Sequence, residues 1–403
     1  MPISDGPSVL STAPLHCCAV THSDPCNPHH AYAHRGAVEG APRGRLHGWR
    51  IPVKDLLPVA GLPMSRGNAH LTQRPTTTAP FAQHLLAQGA TIAGKTQTSE
   101  YGVATYCEPI GFPAVDNPLW PGRTPGGSSG GAAALVAGGH VRVAHASDRG
   151  GSIRVPAACC GIYGLKPAGR GGIQGLVAAD PDDLAFVLDR SPRRRRLRIG
   201  VLTAPVNAET PVADAMIAAV EEAASLLSRT HEVIPVPVPY TPERFAPFRD
   251  LFAWYTRDLP VESSLGLWLK EHGLRMSLSD HAAAEAAGEE TAGLVRASWD
   301  VDVVLSPVLS EDPPAIGHFA AMAPEDDFDA QTRWTPWTTV FNMTGTAAMT
   351  VPWPVAGRQP VGLHLGAVGG DEADLLAAAA DLRGDVVDRP GSGLTREEPP
   401  ARR

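Results

Sequence analysis

The sequence is poor in cysteine and has no long apolar run. Six cysteines occur in 403 residues, and two adjacent pairs, Cys17-Cys18 and Cys159-Cys160, do not have the spacing of a disulfide framework. All six are therefore expected to be thiols. No stretch of 18 or more apolar residues occurs, and residues 1–15 contain neither a basic region nor a long apolar run. These absences predict neither a membrane span nor a signal peptide, and hence a cytoplasmic protein.

The sequence also has no excess of positive charge. Its net charge is -8, and its charged fraction is only 19%. A nucleic-acid surface depends on clustered Lys and Arg, so this balance argues against such a partner. The one arginine cluster, residues 193–196, directly precedes a predicted strand and is interpreted as a solvated loop. A small, uncharged molecule is the expected partner, with neither nucleic acid nor membrane.

Most of the chain is expected to form one domain. Residues 1–30 lack an apolar period and are predicted to be a loose leader, and residues 391–403 a flexible tail. Residues 31–390 contain no linker long enough to separate two cores. Cys17, Cys18 and Cys26 lie among several histidines, but no Cys-x2-Cys pattern organises them, so no metal site is predicted.

Helical and strand patterns alternate through this domain. The apolar spacing predicts helices over residues 80–88, 181–188 and 212–227, and strands over residues 90–94, 197–202, 231–236 and 301–306. Gly89 stands in the C-cap position of the first helix. A sheet covered by helices, and so an α/β fold, accounts for this alternation.

Two glycine-flanked serine clusters are the most unusual part of the sequence. Ser128 and Ser129 lie in Pro-Gly-Gly-Ser-Ser-Gly-Gly, and Ser152 follows Ser147-Asp-Arg-Gly-Gly. Flanking glycines allow a loop to expose a hydroxyl and to direct several backbone N–H groups at one point. A flexible linker is disfavoured, because an alanine-rich helical segment, residues 132–137, follows the first cluster directly.

A serine nucleophile requires a base, and the neighbouring histidines give no signal for one. His140 and His145 are close in sequence, but neither cluster matches the Gly-x-Ser-x-Gly motif. A buried, neutral lysine can take this role because burial lowers its pKa. The chain has only four lysines, and Lys54 lies in an apolar, strand-like segment that would place it in the interior.

These motifs together resemble the amidase signature family of amide hydrolases. The resemblance spans about residues 45–382: Gly48 to Asp55, Gly89 to Glu100, Asn117 to Gly131, Ser147 to Ala157, Gly161 to Pro167, and a C-terminal pattern from Asn342 to Leu363. It implies an α/β amidase signature fold, with one large mixed β-sheet covered by helices on both faces. It also implies that the enzyme requires no metal or organic cofactor.

The resemblance further implies a role for each site residue. Ser152 would be the nucleophile, Ser128 the bridging serine after a cis peptide bond, and Lys54 the terminal base. The oxyanion hole would consist of backbone N–H groups, with Ser129, Asp148 and Arg154 as supporting residues and Lys95 and Lys166 bracing the fold. The residues of the expected oxyanion hole are Arg149, Gly150, Gly151 and Ser152.

The sequence departs from the family pattern at several points. Arg149 stands where the family usually has a small residue such as Thr, so a bulky cation lies beside the expected nucleophile. Ala146 stands where the family commonly has Gly. Residues 167–180 form a shorter segment than the family usually has at this place. The aromatic residues Trp334, Trp337 and Phe341 could line the acyl pocket or belong to the core, and their spacing does not decide between these roles.

Four possible functions are considered for these motifs. The first is an amidase that hydrolyses a small-molecule carboxamide through an acyl-enzyme. The second is a biosynthetic acyltransferase, in which an amine or alcohol takes the acyl group. The third is the catalytic subunit of a tRNA-dependent amidotransferase, which the absence of a basic face disfavours. The fourth is a non-catalytic scaffold, which the presence of Lys54, Ser128 and Ser152 disfavours. A homodimer is compatible with each of them.

Overall fold

A computed structural model describes residues 27–387, with side chains described to residue 383. The predicted tail and most of the predicted leader, including Cys17, Cys18 and Cys26, lie outside the described residues. Of the leader, residues 27–30 are described, and Pro28–His30 form a short 3-10 helix.

Eleven strands form two sheets in the described part of the chain. They are β1 Tyr32–His34, β2 Arg50–Lys54, β3 Thr91–Thr96, β4 Val143–Asp148, β5 Tyr163–Lys166, β6 Ile173–Ala178, β7 Arg198–Val201, β8 Glu232–Pro235, β9 Val303–Pro307, β10 Ala348–Trp353 and β11 Val361–Ala367. The first three form a small sheet in the order β1-β3-β2, and the others form an eight-stranded sheet in the order β4-β6-β5-β10-β11-β9-β7-β8.

Eleven α-helices accompany these strands within residues 27–387. They are α1 Pro80–Ala87, α2 Gly130–Ala137, α3 Arg154–Cys159, α4 Pro181–Leu188, α5 Asp214–Leu227, α6 Ala246–Thr256, α7 Ser264–Arg275, α8 Leu278–Ser298, α9 Pro324–Trp334, α10 Val340–Met343 and α11 Glu372–Val387. Besides Pro28–His30, the 3-10 helices are Ala69–Leu71, Glu100–Gly102 and Pro242–Phe245.

The large sheet is mixed, as the resemblance implies. Its pairs from β4 to β9 are antiparallel, whereas β7 pairs in parallel with both β8 and β9. β10 and β11 lie at its centre, and β11 is buried along its whole length. A buried central strand favours apolar or very small side chains, and in the sequence Val-Gly-Leu-His-Leu-Gly-Ala only His364 departs from this composition.

The predicted elements are confirmed with small changes at their ends. The helix over residues 181–188 has the bounds predicted, because Asp180 caps it through the backbone N–H of Asp182 and Pro181 begins it. Gly89 follows α1 with a φ of 92°. The sequence patterns did not predict the long helical segment α6 to α8, which covers the site described below.

The arginine cluster is a loop before β7, as predicted. Arg193 and Arg195 donate to Asp374, and Arg195 also pairs with Asp302. None of the described helices is both long and apolar enough to cross a membrane.

Candidate active site

Lys54 is the last residue of β2, and its side chain is completely buried. Its ammonium nitrogen Nζ donates to Ser128 Oγ over 2.6 Å and lies 3.4 Å from the carbonyl oxygen of Ser147. Burial lowers the pKa of Lys54 to about 7, and the negative charge of Asp148 opposes this shift only in part. A large fraction of Lys54 is therefore uncharged at neutral pH and able to accept a proton.

Ser128 lies directly before α2, after a cis peptide bond between Gly127 and Ser128. Backbone packs closely on both sides of this turn. A Cβ on Gly127 would lie 2.2 Å from the carbonyl oxygen of Tyr106, and one on Gly131 would lie 2.4 Å from that of Ala31. Glycine is required at both positions because neighbouring backbone leaves no room for a side chain. This close packing fixes the turn in which the Ser128 hydroxyl contacts Lys54.

Ser152 lies in the connection between β4 and α3, and it is 8% exposed. Its side chain and that of Ser128 line the same cavity of about 300 Å³. The structure thus brings Lys54 and Ser128 into contact and places Ser152 in the same cavity wall. Within residues 27–383, no hydrogen bond joins the hydroxyls of Ser128 and Ser152.

The connection that carries Ser152 is held by one buried carboxylate. Asp148 accepts from the backbone N–H of Gly151 over 2.8 Å and of Ile153 over 3.1 Å. Arg154 donates to both oxygens of Asp148, over 3.0 and 2.9 Å. Burial opposes ionisation, but Arg154 outweighs it and holds the pKa of Asp148 well below its usual range. The predicted supporting residues Asp148 and Arg154 therefore lie together beside the connection that carries Ser152.

Two residues from the C-terminal part of the chain complete this buried ion pair. Asn342 donates to Asp148 over 2.8 Å and accepts from Arg154 over 2.7 Å. Arg154 also lies 3.0 Å from His364 Nε2. Burial lowers the pKa of His364 well below its usual value, so this histidine stays neutral beside the guanidinium and can accept a hydrogen bond from it.

The expected oxyanion donors are not equivalent in the structure. The N–H of Gly151 is occupied by Asp148, whereas Arg149, Gly150 and Ser152 line a narrow cavity of about 60 Å³. The backbone N–H groups of Arg149, Gly150 and Ser152 therefore remain predicted oxyanion donors. The N–H of Gly151 donates to Asp148 instead.

The remaining predicted supporting residues have contacts away from the reacting atoms. Ser129 Oγ lies 3.3 Å from the carbonyl oxygen and 3.4 Å from the nitrogen of Ser147. Lys95 forms a buried ion pair with Asp55 over 3.2 Å, and Lys166 donates to the carbonyl of Thr346 over 2.8 Å. Both lysines thus brace the fold, as predicted.

The narrow cavity beside Ser152 is aromatic, but not through the residues considered from sequence. Trp334, Trp337 and Phe341 are at most 2% exposed and lie in the hydrophobic core. The narrow cavity beside Ser152 is lined instead by four phenylalanines: Phe245, Phe248, Phe252 and Phe328. The spacing of the first three is a helical face in the sequence, a signal that a core helix would give as well.

Two further residues near Lys54 were not singled out as functional. His145 accepts from the backbone N–H of Lys54 over 3.1 Å, and its other nitrogen lies 2.8 Å from Gln174. Burial lowers the pKa of His145 to about 3, so it positions β2 as a neutral imidazole. Burial likewise raises the pKa of the Cys107 thiol to about 12. Among the described residues, no group of three or more His, Cys, Asp or Glu side chains could hold a metal ion.

Comparisons with known proteins agree with this geometry. Residues 11–182 and 249–376 match the sequence model of the Amidase family. A curated relative, "Putative amidase AmiB2" from Mycobacterium tuberculosis, is 30% identical over 392 residues, covering 87% of this chain and 85% of its own. A glutamyl-tRNA(Gln) amidotransferase chain from Haloarcula marismortui is 45% identical, but only over 140 residues, or 34% of this chain and 33% of its own.

The fold is similar to that of solved hydrolases. A structure of 6-aminohexanoate cyclic dimer hydrolase complexed with substrate superimposes with a TM-score of 0.76 and 25% identity, covering 85% of each chain. The family match covers well over half of the chain, and the relative extends over most of its length. The chain therefore belongs to the amidase signature family and is a hydrolase of C–N amide bonds.

Proposed function

We propose that this amidase hydrolyses a small-molecule carboxamide through an acyl-enzyme on Ser152, with Ser128 as the proton relay and Lys54 as the base. The observation that carries this proposal is the 2.6 Å contact between a fully buried lysine and the Ser128 hydroxyl, in a cavity wall that also holds Ser152. We also propose that the protein is cytoplasmic, that its substrate is a soluble amide, and that it acts on neither nucleic acid nor membrane.

The first half-reaction forms the ester. Neutral Lys54 accepts the proton of Ser128, and Ser128 accepts the proton of Ser152 as Ser152 Oγ attacks the amide carbonyl carbon. The hydrogen bond between the two serines has to close at this step, since catalytic contacts often tighten only with substrate bound. When the tetrahedral intermediate breaks down, Ser128 returns a proton to the leaving nitrogen, the C–N bond breaks, and the amine departs.

The second half-reaction regenerates the enzyme. Water gives a proton to the same relay and attacks the ester carbonyl, and Ser152 Oγ leaves with a proton from Ser128. The oxygen anion in both intermediates would accept from backbone N–H groups of Arg149, Gly150 and Ser152. One such donor contributes about 2.7–4 kcal/mol to transition-state stabilisation in comparable sites.

Covalent labelling tests the nucleophile. A fluorophosphonate should add to the peptide containing Ser152, as seen by mass spectrometry, and should not add to Ser152→Ala. A screen of aryl, alkyl and amino-acid amides then identifies hydrolysis. Labelling that persists in Ser152→Ala, or labelling of another residue alone, would contradict the proposed nucleophile.

Acyl transfer is the alternative that the same residues would support. Turnover in the presence of hydroxylamine or a primary amine should give mainly the free acid if water is the acceptor. A product mixture dominated by the new amide would indicate an acyltransferase. Glutaminase activity that depends on added partner proteins would indicate a component of an amidotransferase, to which this chain is similar over about a third of its length.

A further inference from the structure

Arg149 is the only charged side chain that lines either of the two cavities containing Ser152, among the residues that the structure describes. It lies between the end of β4 and the nucleophile, where the family pattern has a small residue. The cavity of about 300 Å³ that both Ser128 and Ser152 line is called the wide cavity, and the cavity of about 60 Å³ lined by four phenylalanines is called the aromatic cavity. Apart from Arg149, the wide cavity is lined by apolar and uncharged polar side chains, Gln174 and Tyr255 among them.

No carboxylate lies within salt-bridge distance of Arg149 in the described part of the chain. Its guanidinium carbon lies 4.4 Å from the centre of the Tyr255 ring, a cation–π contact. Arg154, five residues further on, is paired with Asp148. Burial lowers the pKa of Arg149, opposed only by Tyr255, and a half-buried cation without an anion gains from binding one.

Arg149 lines both cavities, but the contacts of its guanidinium are with residues of the wide cavity, Tyr255 and Gly172. Its Nη2 atom lies 3.6 Å from the position that a Cβ on Gly172 would take. Gly172, Tyr255 and Ser128 all line the wide cavity, and none of them lines the aromatic cavity. The guanidinium therefore contacts the part of the cavity wall to which Ser128 also belongs.

This placement assigns the two cavities to the two halves of an amide. Because Ser128 returns the proton to the leaving nitrogen, the amine half has to lie on the side of Ser128, in the wide cavity. The aromatic cavity, lined by Gly150 and four phenylalanines but not by Ser128, then takes the acyl half. Its volume of about 60 Å³ suits a short apolar acyl chain.

Acidic residues near Arg149 have other partners. Glu285 and Glu289 lie with Arg149 along a third, outer cavity, where Arg170 donates to Glu289 over 3.0 Å and His281 lies 3.7 Å from Glu285. They do not line the two cavities that contain Ser152. Of the described side chains that line these two cavities, Arg149 is therefore the one that can be the counter-charge of a ligand anion.

We propose that Arg149 binds a carboxylate on the amine half of the substrate, so that the preferred substrates are short-chain N-acyl amino acids. The inference rests on the proposed function for the assignment of the two halves. A planar guanidinium donates two parallel hydrogen bonds to a carboxylate, which gives both affinity and orientation to the leaving group.

Matched substrates test this specificity. N-butyryl derivatives of glycine, β-alanine and 4-aminobutanoate are compared with N-butyryl alkylamines of equal chain length, with amine release as the readout. In the wild-type enzyme we expect kcat/KM for the best acid to exceed that for its neutral partner by about tenfold or more, since hydrogen bonds to charged groups are the strong ones. Arg149→Gln should abolish this ratio, and Arg149→Lys should keep part of it.

Arg244→Gln is the control, since Arg244 is exposed, pairs with Glu290, and lines none of these cavities. It should keep the wild-type ratio. Equal rates for acids and neutral partners in the wild-type enzyme, or an undiminished ratio in Arg149→Gln, would overturn the specificity while leaving the hydrolysis itself in place.

Binding without turnover separates this inference from the proposed mechanism. In the Ser152→Ala background, calorimetry should show that N-butyryl amino acids bind, and that adding Arg149→Gln weakens binding by about tenfold or more. If this dependence appears but the wild-type enzyme does not hydrolyse the amide, the proposed function fails and the anion site stands. If acid and neutral ligand bind equally, the anion site fails.

Discussion

Lys54 owes its reactivity to its surroundings rather than to its own chemistry. An exposed lysine is protonated at neutral pH and cannot accept a proton, whereas full burial lowers the pKa of Lys54 to about 7. The sequence indicated the chemistry by placing a rare lysine in an apolar segment. It could not give the shift, which depends on the loss of water from every side.

The pH dependence of the enzyme should report this pKa. Below pH 7 Lys54 is protonated and cannot act as a base, so kcat/KM for a neutral amide should rise with pH through about 7. Rates from pH 5.5 to 9 measure the profile, and thermal denaturation over the same range controls for unfolding. A profile without an ionisation between pH 6 and 8 would contradict Lys54 as the base.

Replacing the lysine should remove activity without weakening the fold. In Lys54→Met, turnover should fall by about a thousandfold or more, as for loss of a triad member elsewhere. The Tm at pH 7 should be unchanged or higher, because the apolar stem remains and the buried amine is gone. Lys270→Met, which changes the one lysine outside the family motifs, is the control and should remain active.

The sign of the pH effect on stability follows from the same shift. The pKa of Lys54 is lower in the folded protein than in the unfolded chain, where it is near 10.5. Between these values the unfolded chain binds more protons, so the contribution of Lys54 to the free energy of unfolding rises with pH. The stability advantage of Lys54→Met should therefore shrink between pH 7 and 10. An advantage that grows over this range would contradict the burial argument.

The connection between β4 and α3 is the element on which the nucleophile depends. Asp148 ends β4, Arg154 begins α3, and the ion pair between them fixes the turn that carries Ser152. The resemblance to the family made both residues predictable as supports. Asn342, which contacts both, comes from α10, and no local pattern predicts a partner nearly two hundred residues away.

Breaking this ion pair should destabilise the whole protein. Asp148→Asn keeps the size of the side chain but leaves Arg154 charged and fully buried, which typically costs about 3–5 kcal/mol. Urea unfolding measures the loss. Asp300→Asn, which changes an exposed carboxylate paired with Arg198, is the control and should leave stability unchanged. Equal stability of the two variants would contradict a structural role for Asp148.

At the scale of the whole molecule, the cavities are assembled from distant parts of the chain. The aromatic cavity combines the connection after β4 with side chains from α6 and α9. The segment α6 to α8 was not predicted, and its alanine-rich α8 gives only a weak apolar period. The phenylalanines lie in or against a core cluster and also line the cavity beside Ser152, and this placement depends on the packing of these helices.

Phe248 should set the length of the acyl chain. It lies against Gly150, where an added Cβ would be 2.9 Å from its ring, and it lines the aromatic cavity. Phe248→Ala should raise kcat/KM for a hexanoyl amide relative to the butyryl amide by about tenfold, since two more methylene groups become buried at about 0.8 kcal/mol each. Phe186→Ala, which removes a phenylalanine stacked on Trp49, is the control and should leave this ratio unchanged.

The sequence by itself determined the family, the α/β fold and the residues proposed to carry the chemistry, because glycine-flanked serines, a rare lysine and helix caps are local signals. Tertiary structure decided the partners of Asp148, the aromatic wall of the cavity, and the residues that the guanidinium of Arg149 contacts. These features depend on which distant segments pack together and on how completely they exclude water, and no local spacing encodes either.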